Sequence, residues 1–252
     1  MNSSAAAISF RGVHKQFSLD QAPVLAGLDL DIKQGEIHVL IGFSGTGKSV
    51  TIKHALGLMK PDSGQVSVFG SEIAELNDYQ LREMRMNFGM LFQGVALFDS
   101  LSVYENIAFP LREHRKEMSE QEIRHRVEEL LLKVELEKAI QKMPEELSGG
   151  MKKRVGLARA MALKPKILIC DEPTTGLDPV TAQVIDTLIE KSTREVNASA
   201  FLVSHDIHAA IRIADRISMI LEGKIIITES PEGFKRSQHP VVLQFLESAG
   251  VV

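Results

Sequence analysis

Four residues of the chain are spaced to hold phosphate: Gly42, Gly47, Lys48 and Ser49 satisfy G-x-x-x-x-G-K-[ST]. They follow the apolar run Val39-Leu40-Ile41, so the stretch reads as a buried strand breaking into a glycine loop that opens a helix. Glycines let backbone N–H groups turn inward around oxygen atoms, and the helix starting near Lys48 adds its positive end. Lys48 can reach β- and γ-phosphates, and Ser49 can ligate Mg²⁺. The plainer alternative is a glycine turn with a solvated lysine. A second set is acidic. The apolar strand Ile167-Leu168-Ile169-Cys170 delivers Asp171 and Glu172 at its carboxyl end, where α/β folds bind ligands. Adjacent acids there are costly unless they face a cation or a reaction. Asp171 is the expected Mg²⁺ partner and Glu172 the expected general base for an attacking water.

Other candidates keep two readings. Gln93 closes the apolar run 86–92, either as a solvated end or as a group reaching into a polar site. His205 ends the run Ser199–Val203 and is either a phosphate contact or structural. Ser148-Gly149-Gly150 opens a helix expected over 151–163, as an ordinary N-cap or as an anion site. Phe17, beside the polar turn 18–21, is a core aromatic or a platform for a nucleobase.

The elements that must position these groups alternate between strand and helix. Residues 8–17 and 24–32 have strand character and suit an antiparallel pair, and 65–69 is another strand. The phosphate-loop helix is expected to run to about Leu58, stopped by Lys60-Pro61-Asp62-Ser63-Gly64. A charged helix is expected over 72–85, a helix over 180–196, a hairpin over 217–228 and a short helix over 241–246. From Gly94 to Gly150 the composition turns helical and charged, with Val127, Leu130, Leu131 and Val134 at helical spacing, which reads as an inserted helical subdomain. Its charges at 114–116 and 120–126 read as a solvated face. Leu97, Phe98 and Leu101 are either subdomain core or a docking surface.

The 252 residues carry a net charge of −4, with both signs interspersed, which disfavours nucleic acid as the main partner. A single cysteine, Cys170, excludes an internal disulfide and fits a reducing cytosol. The first residues lack a cationic start and no apolar run approaches a membrane span, so a soluble polypeptide is expected, with membrane association through a partner.

Together these residues resemble the ATP-binding-cassette ATPase family from Ile8 to about Glu232. Six motifs stand in order: the phosphate loop, Gln93, Leu147-Ser148-Gly149-Gly150, the strand ending Asp171-Glu172, the loop Thr175-Gly176-Leu177-Asp178, and His205. The resemblance implies an α/β fold, a P-loop NTPase (RecA-like) core with an antiparallel β subdomain and an inserted α-helical subdomain. It implies one domain over 1–252, with the core at about 1–93 and 158–232, the helical subdomain at about 94–157 and a tail at 233–252. It further implies ATP and Mg²⁺ as cofactors. Phe17 would stack on adenine; Gly42, Phe43, Ser44, Gly45, Thr46, Gly47, Lys48, Ser49, Thr51 and Asp178 would bind ATP. Ser49, Gln93 and Asp171 would serve the metal, Gln93 would also sense the water that Glu172 activates, and His205 would contact the γ-phosphate. Ser148, Gly149 and Gly150 would bind the ATP of a second copy in a head-to-tail dimer.

Phe17 stands where the family usually has tyrosine, and Met151 replaces the glutamine that usually follows Leu-Ser-Gly-Gly. Met151, with the stretches 92–101 and 104–111, is similar to the ATPase of the Mla or toluene-tolerance lipid-trafficking systems. That likeness implies a membrane permease, docking near Leu97, Phe98 and Leu101, an MCE-domain lipid-binding protein, and a place on the cytoplasmic side of the inner membrane. The alternatives are a cassette serving amino-acid or metal import, or a soluble cassette protein acting on ribosomes or DNA. Ribosome types usually carry two cassettes and DNA-repair types a long coiled coil, and neither is evident. Nor is a regulatory domain after Glu232, which disfavours some importers.

Overall fold

The computed structural model describes residues 5–18 and 20–251. They fall into two compact units, Met1–Arg85 with Ser199–Val252, and Met86–Ala198.

The first unit holds two sheets. In one, β1 (Ala6–Lys15) pairs antiparallel with β2 (Leu25–Lys33) and with β4 (Ser63–Val68), and β4 pairs with the two-residue β5 (Ser71–Glu72). In the other, β3 (Ile37–Ile41) lies parallel between β8 (Ser199–Ser204) and β9 (Arg216–Leu221), with β10 (Lys224–Glu229) antiparallel on β9. All five residues of β3 are buried, as in a strand covered on both faces. Its one polar member, His38, is satisfied by Glu36 at 3.1 Å and Ser218 Oγ at 2.8 Å. Phe10 of β1 and Phe201 of β8 meet in the core with ring centroids 6.5 Å apart.

Helix boundaries here depart from expectation for local reasons. The phosphate-loop helix α1 (Lys48–Ala55) ends short of Leu58 because Gly57, at φ 63°, closes a Schellman cap: its N–H donates to His54 O, and Leu58 N–H to Lys53 O. Instead of one helix from residue 72, α2 (Asp78–Arg85) starts after a 3₁₀ turn at Ile73–Glu75. Asn77 and Gln80 exchange side-chain and backbone bonds of 2.9 and 3.0 Å, a reciprocal cap that fixes where the helix begins. An unanticipated helix, α7 (Ile207–Ile213), is capped by Asp206, which accepts from His208 and Ala209 N–H. Two further helices follow, α8 (Pro231–Lys235) and α9 (Pro240–Ser248).

The second unit pairs β6 (Phe88–Leu91) with β7 (Ile167–Asp171) in parallel and adds four helices: α3 (Val103–His114), α4 (Glu120–Lys133), α5 (Gly149–Ala160) and α6 (Pro179–Glu195). Val127, Leu130, Leu131 and Val134 are all buried, as their spacing predicts. Most of the charged run on α4 is solvated, but Arg126 is not. It is buried and donates to Met161 O at 2.9 Å and Ala162 O at 3.3 Å, two carbonyls just past the end of α5.

Candidate functional site

In the first unit, the parallel register that sets Ile41 opposite Ser204 makes the phosphate loop and His205 leave the sheet from adjacent strand ends. His205 is exposed there. The loop needs glycine at 47: φ is 102°, and a Cβ would lie 2.8 Å from Val24 O and 2.9 Å from Leu25 Cδ2. Gly47 caps α1 with no side-chain bond, and the first turn carries no acid, so the helix offers its N–H groups and positive end to an anion. The Lys48 ammonium, nearly buried, spans the loop to Gly42 O at 2.8 Å and Phe43 O at 3.0 Å. Thr46 Oγ1 also donates to Phe43 O, at 2.9 Å, and together these bonds hold the loop closed on itself. Ser44 and Gly45 form its exposed tip and Ser49 lies in the first turn of α1. Thr51 is fully buried and donates to Gly47 O at 3.0 Å, so it braces the loop from below.

Phe17 is 56% exposed and is therefore no core aromatic. The residues before it are fixed: Asp62 accepts from Lys15 Nζ at 2.6 Å and from Gln16 N–H at 2.7 Å, and those two bonds hold its carboxyl below the usual range. The Lys15 ammonium sits 5.9 Å from the Phe17 ring.

In the second unit, β7 ends on Asp171 and Glu172 follows it, both half-buried. Glu172 has φ 49°, a left-handed backbone that a non-glycine residue adopts at a cost of about 1–3 kcal/mol, and Thr175 Oγ1 donates to its Oε2 at 3.1 Å. Asp178 is exposed and caps α6, accepting from Val180 and Thr181 N–H at 3.1 and 3.0 Å; a hydrogen bond with the Thr181 side chain, and then these backbone bonds, lower its pKa. Ser148 caps α5 by accepting from Met151 N–H at 3.3 Å, so the ordinary capping role is present. The two glycines beside it differ. A Cβ on Gly150 would lie 2.5 Å from Thr181 Cγ2, whereas one on the exposed Gly149 would meet Leu177 at an ordinary 3.6 Å. Packing within the chain thus requires glycine at 150 and not at 149.

Gln93 follows β6 with an exposed side chain, while its carbonyl accepts from Lys153 Nζ at 2.6 Å. Lys153 was not among the expected site residues. Burial pushes its pKa below the ordinary lysine value, opposed by Cys170, Glu172 and Asp171. The only sequence signal is a cation three residues before Gly156 on an otherwise apolar helix face. Asn106 was also missed. Fully buried, it accepts from Phe98 N–H at 2.8 Å and donates to the carbonyls of Phe98, Leu101 and Ser102, pinning the loop after Gln93. Phe98 stays 44% exposed, its ring 4.9 Å from that of Phe109, and Leu97 and Leu101 are half-buried.

Among the described residues, no group of three or more His, Cys, Asp or Glu is placed to hold a metal. Mg²⁺ takes oxygen ligands, and Ser49 in the first unit and Asp171 in the second each carry a side-chain oxygen of that kind. Among the same residues, no helix is long and apolar enough to cross a membrane.

Residues 25–175 match the family model described as ABC transporter. The chain is 42% identical over 240 residues to a probable ribonucleotide transport ATP-binding protein, mkl, of Mycobacterium leprae, covering 95% of this chain and 68% of that one. It is 42% identical over 221 residues to a methionine import ATP-binding protein, MetN 2, of Bacillus cereus, covering 87% of this chain and 65% of the relative. The chain thus spans about two thirds of the length of these relatives. Among solved structures, the dimeric post-hydrolysis state of the ATP-binding cassette MJ0796 bound to ADP and Pi superposes with a TM-score of 0.80 at 33% identity, over 89% of this chain and 98% of that one. The cbiO1 protein of Clostridium perfringens, part of an ABC transporter complex, superposes with a TM-score of 0.84 at 29% identity, over 96% and 95%. With a phosphate loop built for a nucleotide and acids at a strand's carboxyl end, the chain belongs to the ABC transporter ATP-binding family and is an α/β P-loop ATPase whose cofactors are ATP and Mg²⁺.

Proposed function

We propose that the protein is the ATP-hydrolysing subunit that powers a separate membrane permease. The observation that carries the reading is the phosphate loop, where Lys48 bridges two loop carbonyls that a phosphate would replace as its partner, above an uncapped helix N-terminus. In this reading Phe17 stacks on adenine, residues 42–49 hold the phosphates with Thr51 bracing them, and His205 contacts the γ-phosphate. Ser49, Asp171 and Gln93 serve Mg²⁺, and Glu172 activates water. Ser148, Gly149, Gly150 and Asp178 engage the ATP sandwich with a second copy. An exposed glycine at 149 with no packing reason within the chain supports a close approach from outside it. The same reading treats 1–252 as one cassette, its core at about 1–93 and 158–232, a helical subdomain at about 94–157 and a tail at 233–252.

The permease seat is the lip Leu97–Leu101, where Phe98 and Phe109 face solvent as a pair while Asn106 fixes the backbone beneath them. The cargo is lipid, moved between bacterial membranes with an MCE-domain protein, and the stretches 92–101 and 104–111 with Met151 support this. The second reading is import of a small polar molecule, favoured by the ribonucleotide and methionine systems named for the relatives. In both readings the ATPase is peripheral, on the cytoplasmic face of the inner membrane.

Two substitutions test the reading. Lys48→Ala removes the loop cation, and calorimetry should show ATP affinity falling at least about 10-fold; unchanged affinity would mean the loop is misread. Phe98→Asp should leave ATP binding and folding intact while abolishing co-purification with the permease. A variant that still assembles would exclude the lip as the seat. Reconstituted with that permease, the complex should transfer phospholipid between vesicles; uptake of ribonucleotide or methionine instead would select the second reading.

A further inference from the structure

The segment that carries Gln93 is strained and fastened to α5. Val95 and Ala96 both have positive φ, 62° and 50°, without being glycine. For a β-branched valine this is a true outlier, and each such residue costs about 1–3 kcal/mol, so it persists only where its surroundings over-determine it. Internal turns supply part of that hold: Val95 N–H donates to Phe92 O at 3.0 Å and Ala96 N–H to Gly94 O at 2.7 Å. The rest comes from one face of α5. Lys153, only 4% exposed, donates to Gln93 O at 2.6 Å. Six residues on, Arg159 donates to Val95 O and Ala96 O, each at 2.7 Å. Between them Gly156 lets the loop touch the helix; a Cβ there would lie 2.6 Å from Val95 Cγ1. Two cations therefore grip three carbonyls within four residues, and charged donors make such bonds roughly twice as strong as neutral ones.

We propose that Lys153 is a positioning residue for ATP hydrolysis: with Arg159 it fastens the Gln93 loop to α5, so that Gln93 and the Ser148–Gly150 end of that helix move as one piece. The loop continues directly into the lip at Leu97–Leu101, so a push on the lip reaches the helix through these bonds. A buried ammonium with a backbone carbonyl as partner would serve stability poorly if that were its only task, because a neutral side chain of the same length avoids its desolvation. The proposal rests on the reading of Gln93 as a group that serves hydrolysis, and its test separates the two.

The test compares Lys153→Met, which keeps the stem and loses the donor, with Lys153→Arg, which restores a cation. Hydrogen exchange measured on the full chain without nucleotide should show peptides covering 92–98 exchanging at least about 10-fold faster in Lys153→Met, with other peptides of the unit within twofold. In the same variant kcat should fall about 10-fold while the KM for ATP stays within twofold. Lys153→Arg should recover most of the protection and of kcat. Wild-type protection at 92–98 in Lys153→Met would overturn the proposal. So would protection lost throughout Met86–Ala198, since that marks a general structural role. A loosened loop with unchanged kcat also overturns it, and Gln93→Ala measured alongside identifies the cause: if that variant too turns over normally, the reading of Gln93 has failed as well.

Discussion

The phosphate loop and the Gln93 loop both follow a strand of a parallel pair, and both need backbone conformations that ordinary residues avoid. They meet that need in opposite ways. In the phosphate loop, glycine takes the unusual angles, as at Gly47, and the one buried cation, Lys48, belongs to the loop's own motif. In the Gln93 loop, valine and alanine take them, and the cations that compensate lie about 60 residues further along the chain, on α5. Strain relieved locally is cheap and leaves a mark in sequence. Strain relieved by tertiary contacts leaves none, and it makes the loop responsive to whatever moves those contacts.

Three changes would break or sharpen this contrast. Glu172 belongs with the strained, non-glycine class at φ 49°, yet its effect should be chemical. Glu172→Gln should cut turnover by roughly 10²-fold or more with ATP binding kept, and the ATP-bound dimer should persist on size-exclusion; normal hydrolysis would remove it as the base. Gly47→Ala should cost about 3 kcal/mol in urea unfolding, because a methyl group would meet Val24 O and the backbone angle would penalise it again. A loss under about 0.5 kcal/mol would show that this loop yields as the other one cannot. The smallest effect is expected at Ala96→Gly, which relieves a left-handed alanine and should raise stability by about 0.5–1 kcal/mol. A destabilised variant would mean that the left-handed backbone at Ala96 carries little strain.

Much of the fold was legible because its signals are local. The buried strands β3, β7 and β8 appear where apolar runs end in Gly42, Asp171 and Ser204, and the helical stretch shows its 3.6-residue period at Val127, Leu130, Leu131 and Val134. Boundaries were less legible where a cap competes with a propensity, as at Gly57, Asn77 and Asp206. There, one hydrogen-bonding side chain or one left-handed glycine decides where the helix stops or starts.

The same division holds for the site. The residue types and spacing at Gly42–Ser49 marked a phosphate cradle by themselves, since such a loop is made from neighbours in sequence, and the apolar run before Asp171 put that acid at a strand's carboxyl end. Only the tertiary structure decided that Phe17 faces solvent, that Thr51 braces the loop from inside, and that Ile41 and Ser204 stand in register so that His205 leaves the sheet beside Gly42. It also decided that the loop after Gln93 is fastened by Lys153, Arg159 and Asn106. Each of these side chains bonds to backbone carbonyls, which every residue carries, so nothing in the residue types marks the partner.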